Sequence, residues 1–566
     1  MSREPEILEG HEAVTLSSAQ TIPALLADVA LRGEHPAVID GTVVVSSRDL
    51  DRRIRDVSRA YLAQGVRPGD RVAVWAPNRL EFIEAMLGAQ SIGAAVVPLN
   101  TRFTGHEATV ILARSRASVL VLADGFLGRS FSTMLREAAA SAASSSTSAA
   151  PADPSLIASA VPGLPHLRLV VSMDDTPTDS GAMGWGDFLA AGAAVPEEEA
   201  RRVAAAVQPD DVDDILFTSG TTGLPKGVMS AHRQTIGVAR AWAAGARLSP
   251  SDRYAVVGPF FHGFGYKAGM ISSLLAGSTI YPVETFDATS LLELIQRERI
   301  TVMPGVPTIF TSLLDHPRLG EYDISSLRFA IAGATAAPAT LFRDMVEVLG
   351  FETVAQAYGL TECIVATMSR PGESLEHASQ TTGPAVAGIE IRVVDESGAD
   401  VAVDADGEIL LRGDDVMLGY FEDEEATRAA IDDNGWFHTG DIGRLDEHGC
   451  LKITDRLKDM FIVGGFNVYP AEVENVLRQH PAVNESAVIG VDDRRLGAVG
   501  RAYVALLHEV AAPDAAELEA FCRQRLANFK VPREFLFVED FPRNGTGKIL
   551  KSELRAAAAA EAAEGA

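Results

Sequence analysis

"DDILFTSGTTGLPKG", residues Asp213 to Gly227, joins a short apolar run to a loop in which glycines and hydroxyl side chains surround one lysine. The run has the length and flanks of a strand, and a strand that feeds such a loop begins an α/β layer. The loop is not a P-loop, which requires G-x-x-x-x-G-K-[ST]. Here Lys226 follows Pro225 and precedes Gly227. The physical logic is nevertheless shared. Gly220 and Gly223 let backbone N–H groups approach an anion; Thr218, Ser219, Thr221 and Thr222 add hydroxyl donors; Lys226 adds a positive charge. The competing reading is an ordinary turn, so the rest of the chain must decide.

Outward from this stretch the strand–helix alternation continues. "RVAVWAPN" (71–78) and "AVVPLN" (95–100) read as strands, and the segment between them has helical spacing at Phe82, Met86 and Ala89. "IYPVETF", "ITVMPGVP" and "LRFAIAG" repeat the pattern downstream. Strand–helix–strand order predicts parallel sheets covered by helices, here two α/β subdomains. After about residue 385 the strands shorten and turns intervene, as in "IEIRVVDESG", "GEILLRG" and "CLKITDR", which predicts a small β-rich subdomain. From Asp455 a small α+β unit is expected. Its "YPAEVENVLRQH" places Pro470 at a helix start, Glu472 and Glu474 in the first turn, and Val473, Val476 and Leu477 on the buried stripe. The predicted division is a large domain over 1–454 and a small mobile one over 455–566. A low-complexity surface insertion is expected at 138–155 and a frayed alanine-rich tail after Arg555.

Composition narrows the function. A chain of 566 residues exceeds one ordinary core, and 47% hydrophobic with 22% charged residues describes a soluble globular protein. The net charge of -28 opposes nucleic acid and anionic membranes as partners. An anionic ligand such as ATP must then meet a local cationic site. No apolar run reaches the ~18 residues of a membrane span. The N-terminal "MSREPEILEGHEAVTL" has no signal-peptide layout. Cys363, Cys450 and Cys522 are spaced for neither disulfides nor a metal site, so a cytoplasmic setting is expected.

Four more stretches share the polar, glycine-punctuated texture of the loop: "AYGLTE" (357–362), "WFHTGD" (436–441), "DRLKDMFIVGGFNVYPAEVE" (455–474) and "RNGTGK" (543–548). In this order and spacing the chain, from about residue 20 to 555, resembles the acyl-adenylate-forming enzymes, which include acyl-CoA synthetases, 4-coumarate ligases, luciferases and peptide-synthetase adenylation domains. The resemblance implies that Thr218, Ser219, Gly220, Thr221, Thr222, Gly223 and Lys226 grip the outer phosphates of ATP. It also implies that Gln356, Ala357, Tyr358 and Gly359 bind the cofactor, with Tyr358 stacked on adenine, that Thr361 touches the α-phosphate, and that Glu362 with Thr218 holds Mg²⁺. Asp441 would accept the ribose hydroxyls, Arg456 would contact ribose and phosphate, and Lys548 would be the adenylation lysine. The cofactors implied are ATP, Mg²⁺ and coenzyme A, and the remaining partner is a small-molecule carboxylic acid. A homodimer is compatible with this reading.

Carboxylate and ATP are both anions, so Mg²⁺ and lysines aimed at the developing charge should dominate the first step. The family serves its second step, thiol attack on the acyl-AMP, by rotating the C-terminal domain about a hinge matched here by Lys458. Rotation would bring Gly464, Gly465 and Phe466 to the site as a pantetheine tunnel. The acyl pocket would involve Phe261, His262, Gly263, Tyr266, Lys267, Gly305, Gly333 and Ala334. Lys267 lies among Phe, Gly, Tyr and Ala, and a buried unpaired lysine is costly. Either it snorkels, or it meets a polar group of the acid such as a ketone or second carboxylate.

Within the family the chain looks closest to actinobacterial ligases of the bicyclic propanoate left from steroid rings C and D, the HIP-CoA ligases. It differs from them in the serine/alanine insertion and the extended N-terminus. The expected acid is polar and cyclic or aryl. The alternative is an adenylating enzyme of secondary metabolism with another acceptor, a carrier protein, or one that activates nitrite to diazotise an aromatic amine.

Overall fold

The computed structural model describes residues 16–145, 160–175, 181–219, 225–333, 339–456, 460–507, 512–542 and 549–564. The opening run forms the strand Val212–Ser219 and pairs antiparallel with Pro225–Ala231, Thr218 facing Lys226 in register. This hairpin belongs to an eight-stranded sheet. The order runs from Gly419–Tyr420 through the hairpin to Ala95–Pro98, Arg71–Trp75, Val119–Leu122, Leu169–Ser172 and Met183–Gly184. All pairings beyond the hairpin strand Val212–Ser219 are parallel. Period-two alternation sends Val72, Val74, Val96 and Val121 into one core and Ala73, Trp75, Val97 and Leu120 into another. A sheet buried on both faces explains why these strands read as unbroken apolar runs.

A second sheet orders Val43–Ser46, Pro36–Asp40, Thr279–Pro282 and Arg253–Val256. It continues through parallel bridges at Val302 to Phe329–Ile331 and Thr353–Ala355. "ITVMPGVP" therefore supplies bridges at Val302 and Gly305 rather than a full strand, as Pro304 has no N–H to give the ladder. The expected β-rich unit is the antiparallel sheet Ile389–Val394, Gly407–Gly413, Phe437–Leu445 and Leu451–Arg456. Asp455 and Arg456, placed at the start of the small unit by the sequence, pair with Ile442 and Asp441 in this sheet.

The C-terminal unit holds the strands Phe461–Val463, Phe466–Val468, Val483–Asp493, Gly497–Leu506 and Glu534–Phe537 in one sheet. Pro470–Leu477 starts at the predicted proline and buries Val473, Val476 and Leu477. Of the expected insertion, residues 138–145 continue the helix Phe131–Ser145, with Ala139 buried, and 146–155 lie outside the described residues. The tail forms the helix Lys551–Glu564, held by Leu554 and Ala558 packed with Ala487 and Ile489. Alanine is the strongest helix former, and low complexity concealed two anchoring positions. The three cysteines are free and buried. Among the described residues no helix is long and apolar enough to cross a membrane.

Candidate active site

A cavity of about 460 Å³ opens between the large unit and the C-terminal unit. Thr218, Phe261, His262, Gly263 and Thr361 line it from one side, and Gly465 and Phe466 from the other. Gly464 and Gly465 both have positive φ, at 55° and 88°. A Cβ on Gly465 would lie 2.9 Å from Val306 Cγ1, so only a bare backbone lets this loop seat against the large unit.

The His262 ring faces this cavity, accessible yet surrounded by protein, and the enclosure holds its imidazole below the usual value. Its Nδ1 accepts the Phe264 N–H at 3.2 Å. In the neutral ring the proton then sits on Nε2, which is left as a donor.

Beside the hairpin of Val212–Ser219 and Pro225–Ala231, Gly419–Tyr420 pairs with Val228 and Met229 and so brings the Tyr420 ring to Lys226, 4.9 Å from its Nζ. The Tyr420 hydroxyl donates to Glu362 Oε1 at 2.8 Å. Burial and then the Glu362 charge raise the phenol pKa, so Tyr420 stays the donor. Tyr420 was not legible in "VMLGYFED", which has none of the hydroxyl-rich texture of the loop.

Tyr358 donates to Asp441 Oδ2 at 2.7 Å, and both side chains are buried. Tyr358 belongs to the hairpin of Ala357–Leu360 with Cys363–Met368. Gly359 is required there, since a Cβ would stand 2.0 Å from the Ile364 carbonyl oxygen. Gln356 is committed beneath this hairpin, its Nε2 donating to the Ser379 carbonyl at 3.1 Å. The Arg456 backbone lies opposite Asp441 in register. Gly220, Thr221, Thr222, Gly223, Ala334, Lys458 and Lys548, and the side chains of Ser219 and Arg456, lie outside the described residues.

Four of the expected acyl-pocket residues, Tyr266, Lys267, Gly305 and Gly333, do not line this cavity, whereas Phe261, His262 and Gly263 do. Lys267 is 1% exposed and neither snorkels nor borders the cavity. Its ammonium pairs with Asp214 Oδ2 at 2.8 Å and donates to Ser230 Oγ at 2.7 Å. The counter-ion comes from the strand Val212–Ser219, distant in sequence, so the lysine's own neighbours could not reveal it. Tyr266 is buried as well: Gln90 Nε2 lies 2.5 Å from its hydroxyl, which donates to Asp213 at 3.4 Å. Gly305 and Gly333 sit at strand ends of the second sheet and do not border the cavity.

Comparison with known proteins identifies the family. Residues 26–421 match the model for AMP-binding enzymes, and residues 472–548 match that for the AMP-binding enzyme C-terminal domain. The chain is 47% identical over 523 residues to a 3-[(3aS,4S,7aS)-7a-methyl-1,5-dioxo-octahydro-1H-inden-4-yl]propanoyl:CoA ligase of Rhodococcus jostii (strain RHA1), covering 92% of this chain and 96% of the relative. It is 46% identical to the ligase of the same name from Mycobacterium tuberculosis (strain ATCC 25618 / H37Rv), covering 95% and 99%. Among solved structures it resembles the amide bond synthetase McbA from Marinactinospora thermotolerans, with a TM-score of 0.78, 28% identity and 94% and 99% coverage. Matched in both of its units and aligned with these relatives over nearly its whole length, the chain belongs to the AMP-binding enzymes.

Proposed function

We propose that this chain, an AMP-forming acyl-CoA ligase, activates a compact bicyclic carboxylic acid bearing ring carbonyls and passes its acyl group to coenzyme A. The observation that supports the choice of acid is the 46–47% identity to two ligases named for a dioxo-octahydro-indenyl propanoate. In the first step a carboxylate oxygen attacks the α-phosphorus of ATP, the bond to the β-phosphate oxygen breaks, and pyrophosphate leaves. In the second a thiol attacks the acyl carbonyl and AMP leaves with the bonding electron pair.

In this reading Lys226 and the loop that follows Thr218 hold the outer phosphates. Thr361 donates to the α-phosphate, and Tyr358 with Asp441 receives the nucleoside. Gln356, Ala357 and Gly359 keep the Tyr358 hairpin rigid, and Arg456 approaches ribose and phosphate from the strand beside Asp441. The carboxylate of Glu362 and the hydroxyl of Thr218 are oxygen donors of the type Mg²⁺ prefers, and the bound ion would offset phosphate charge. His262 Nε2–H is a polar group on the cavity wall that could meet an oxygen of the acid, whereas the ammonium of Lys267 is already paired with Asp214. Gly465 and Phe466 shape the approach of the pantetheine thiol. Lys458 would be the hinge and Lys548 the cation of the first step.

A pyrophosphate-release screen over carboxylic acids and nitrite, each with and without coenzyme A, tests the reading. The bicyclic oxo-propanoate should give the highest kcat/KM and a thioester only with coenzyme A. Turnover with nitrite, or acyl transfer to an amine or carrier protein in preference to coenzyme A, would overturn it.

A second expectation concerns Tyr420. Tyr420→Phe removes a hydrogen bond to a charged acceptor, worth about 1.5–3 kcal/mol. The adenylation rate should fall roughly tenfold or more, and half-saturation by Mg²⁺ should move to higher concentration. An unchanged Mg²⁺ dependence would separate Tyr420 from the metal.

A further inference from the structure

Lys530 is 4% exposed and bridges two carboxylates from different units. Its Nζ donates to Glu107 Oε1 at 2.8 Å and to Glu472 Oε1 at 2.7 Å. Glu107 stands in the first turn of the helix Gly105–Ser115 in the large unit, and Glu472 in the helix Pro470–Leu477 that follows the Gly464–Gly465 loop. The other Glu107 oxygen caps its own helix, accepting from Thr104 N at 2.8 Å and Thr104 Oγ1 at 2.9 Å, so the carboxylate is fixed before Lys530 arrives.

Aromatic rings connect this bridge to the cavity. The ammonium lies 4.8 Å from the Phe103 ring centroid and 5.7 Å from that of Phe529. Phe529 in turn stacks on Phe466, centroids 4.8 Å apart. Thr104 Oγ1, its single proton shared with Glu107, also lies 3.3 Å from the Arg525 carbonyl, a second polar contact between the units. Burial would by itself drive the charge off Lys530, but the two carboxylates outweigh it and keep the amine protonated.

We propose that Lys530 is a positioning residue that latches the C-terminal unit, through Glu107 and Glu472, in the orientation that presents Gly465 and Phe466 to the cavity for thiol transfer. The inference rests on the two-step reading above. A buried ion pair returns little net stability, because desolvation offsets most of the attraction, yet it is intolerant of wrong geometry. That combination suits a joint that must close in one register and open again each turnover. Glu472 moves with Lys530, so opening would separate Lys530 from Glu107 alone.

Glu107→Gln tests the latch. Glutamine keeps an oxygen for the Thr104 N–H while losing the charge that Lys530 meets. Two half-reactions are measured on the full chain with the dioxo-octahydro-indenyl propanoate: acid-dependent ATP–pyrophosphate exchange, and transfer from supplied acyl-adenylate to coenzyme A. Transfer should fall roughly tenfold or more while exchange is kept or rises. Lys530→Met should do the same, and circular dichroism tells whether it folds; if it does not, Glu107→Gln decides. Hydrogen–deuterium exchange without substrates should rise at 464–469 and 103–115 in the variant, with the interiors of both units unchanged. Parallel loss of both half-reactions, or unchanged exchange at those two segments, would overturn the latch. If the wild type neither exchanges nor transfers with this acid, the functional reading fails instead, and hydrogen exchange alone still decides the contact.

Discussion

Lys548→Ala is expected to lower acyl-adenylate formation by about 10²–10³-fold or more, while transfer from supplied acyl-adenylate to coenzyme A keeps most of its rate. The reason lies in where charge develops. In the first step an anionic carboxylate approaches an anionic triphosphate, and a preorganised cation at the α-phosphate is worth about 2.7–4 kcal/mol. In the second step the phosphate ester already exists as a leaving group, and the thiol attacks a carbonyl instead. The cavity agrees with a division of labour, because Gly465 and Phe466, which belong to the second step in this reading, line it. Lys548→Ala and Glu107→Gln should therefore fail in opposite halves of the reaction. Stopped assays of each half on both variants check this. Equal loss in both halves for Lys548→Ala would remove the two-orientation mechanism.

What could be read from the sequence follows from how far apart the interacting residues lie. The hairpin at Thr218, the strands at Arg71 and Ala95, and the helix beginning at Pro470 were legible because periodicity and cap chemistry are local. Glycine-punctuated motifs likewise marked Tyr358, Glu362 and Asp441, of which Tyr358 and Asp441 meet in one hydrogen bond. Contacts made from distant segments were not legible. Tyr420 reaches Glu362 from a two-residue strand at the sheet edge, and Lys530 reaches Glu107 across the joint between units. Nothing in a window around either residue announces its partner. The same limit misdirected the reading of Lys267, whose apolar neighbours describe the helix face it leaves rather than the strand it meets.

Lys267→Met is accordingly expected to destabilise the large unit by about 3–5 kcal/mol, the usual cost of leaving one member of a buried ion pair alone. Asp214 is 0% exposed and would lose the ammonium 2.8 Å away, while Asp213 stands beside it, equally buried. Burial, and next the Asp214 charge, already hold the Asp213 carboxyl well above its usual range; Lys267 opposes that shift. With the lysine gone, the cheapest relief is for Asp213 to hold its proton, since Lys267 no longer opposes the raised value. A buried carboxyl with a raised pKa binds its proton more tightly folded than unfolded, so stability falls as pH rises above the unfolded value of about 4. The deficit of the variant should thus be smallest near pH 4 and grow towards neutrality. Replacing both partners, as Lys267→Met with Asp214→Leu, should recover much of the loss, because an apolar pair carries no desolvation penalty. Once folded, the single variant should act on every acid in the same proportion as the wild type. Denaturant unfolding across pH, with kcat/KM on oxo-acids and plain alkyl acids, measures all three expectations. A selective loss on oxygenated acids, with stability unchanged, would return Lys267 to the acyl pocket.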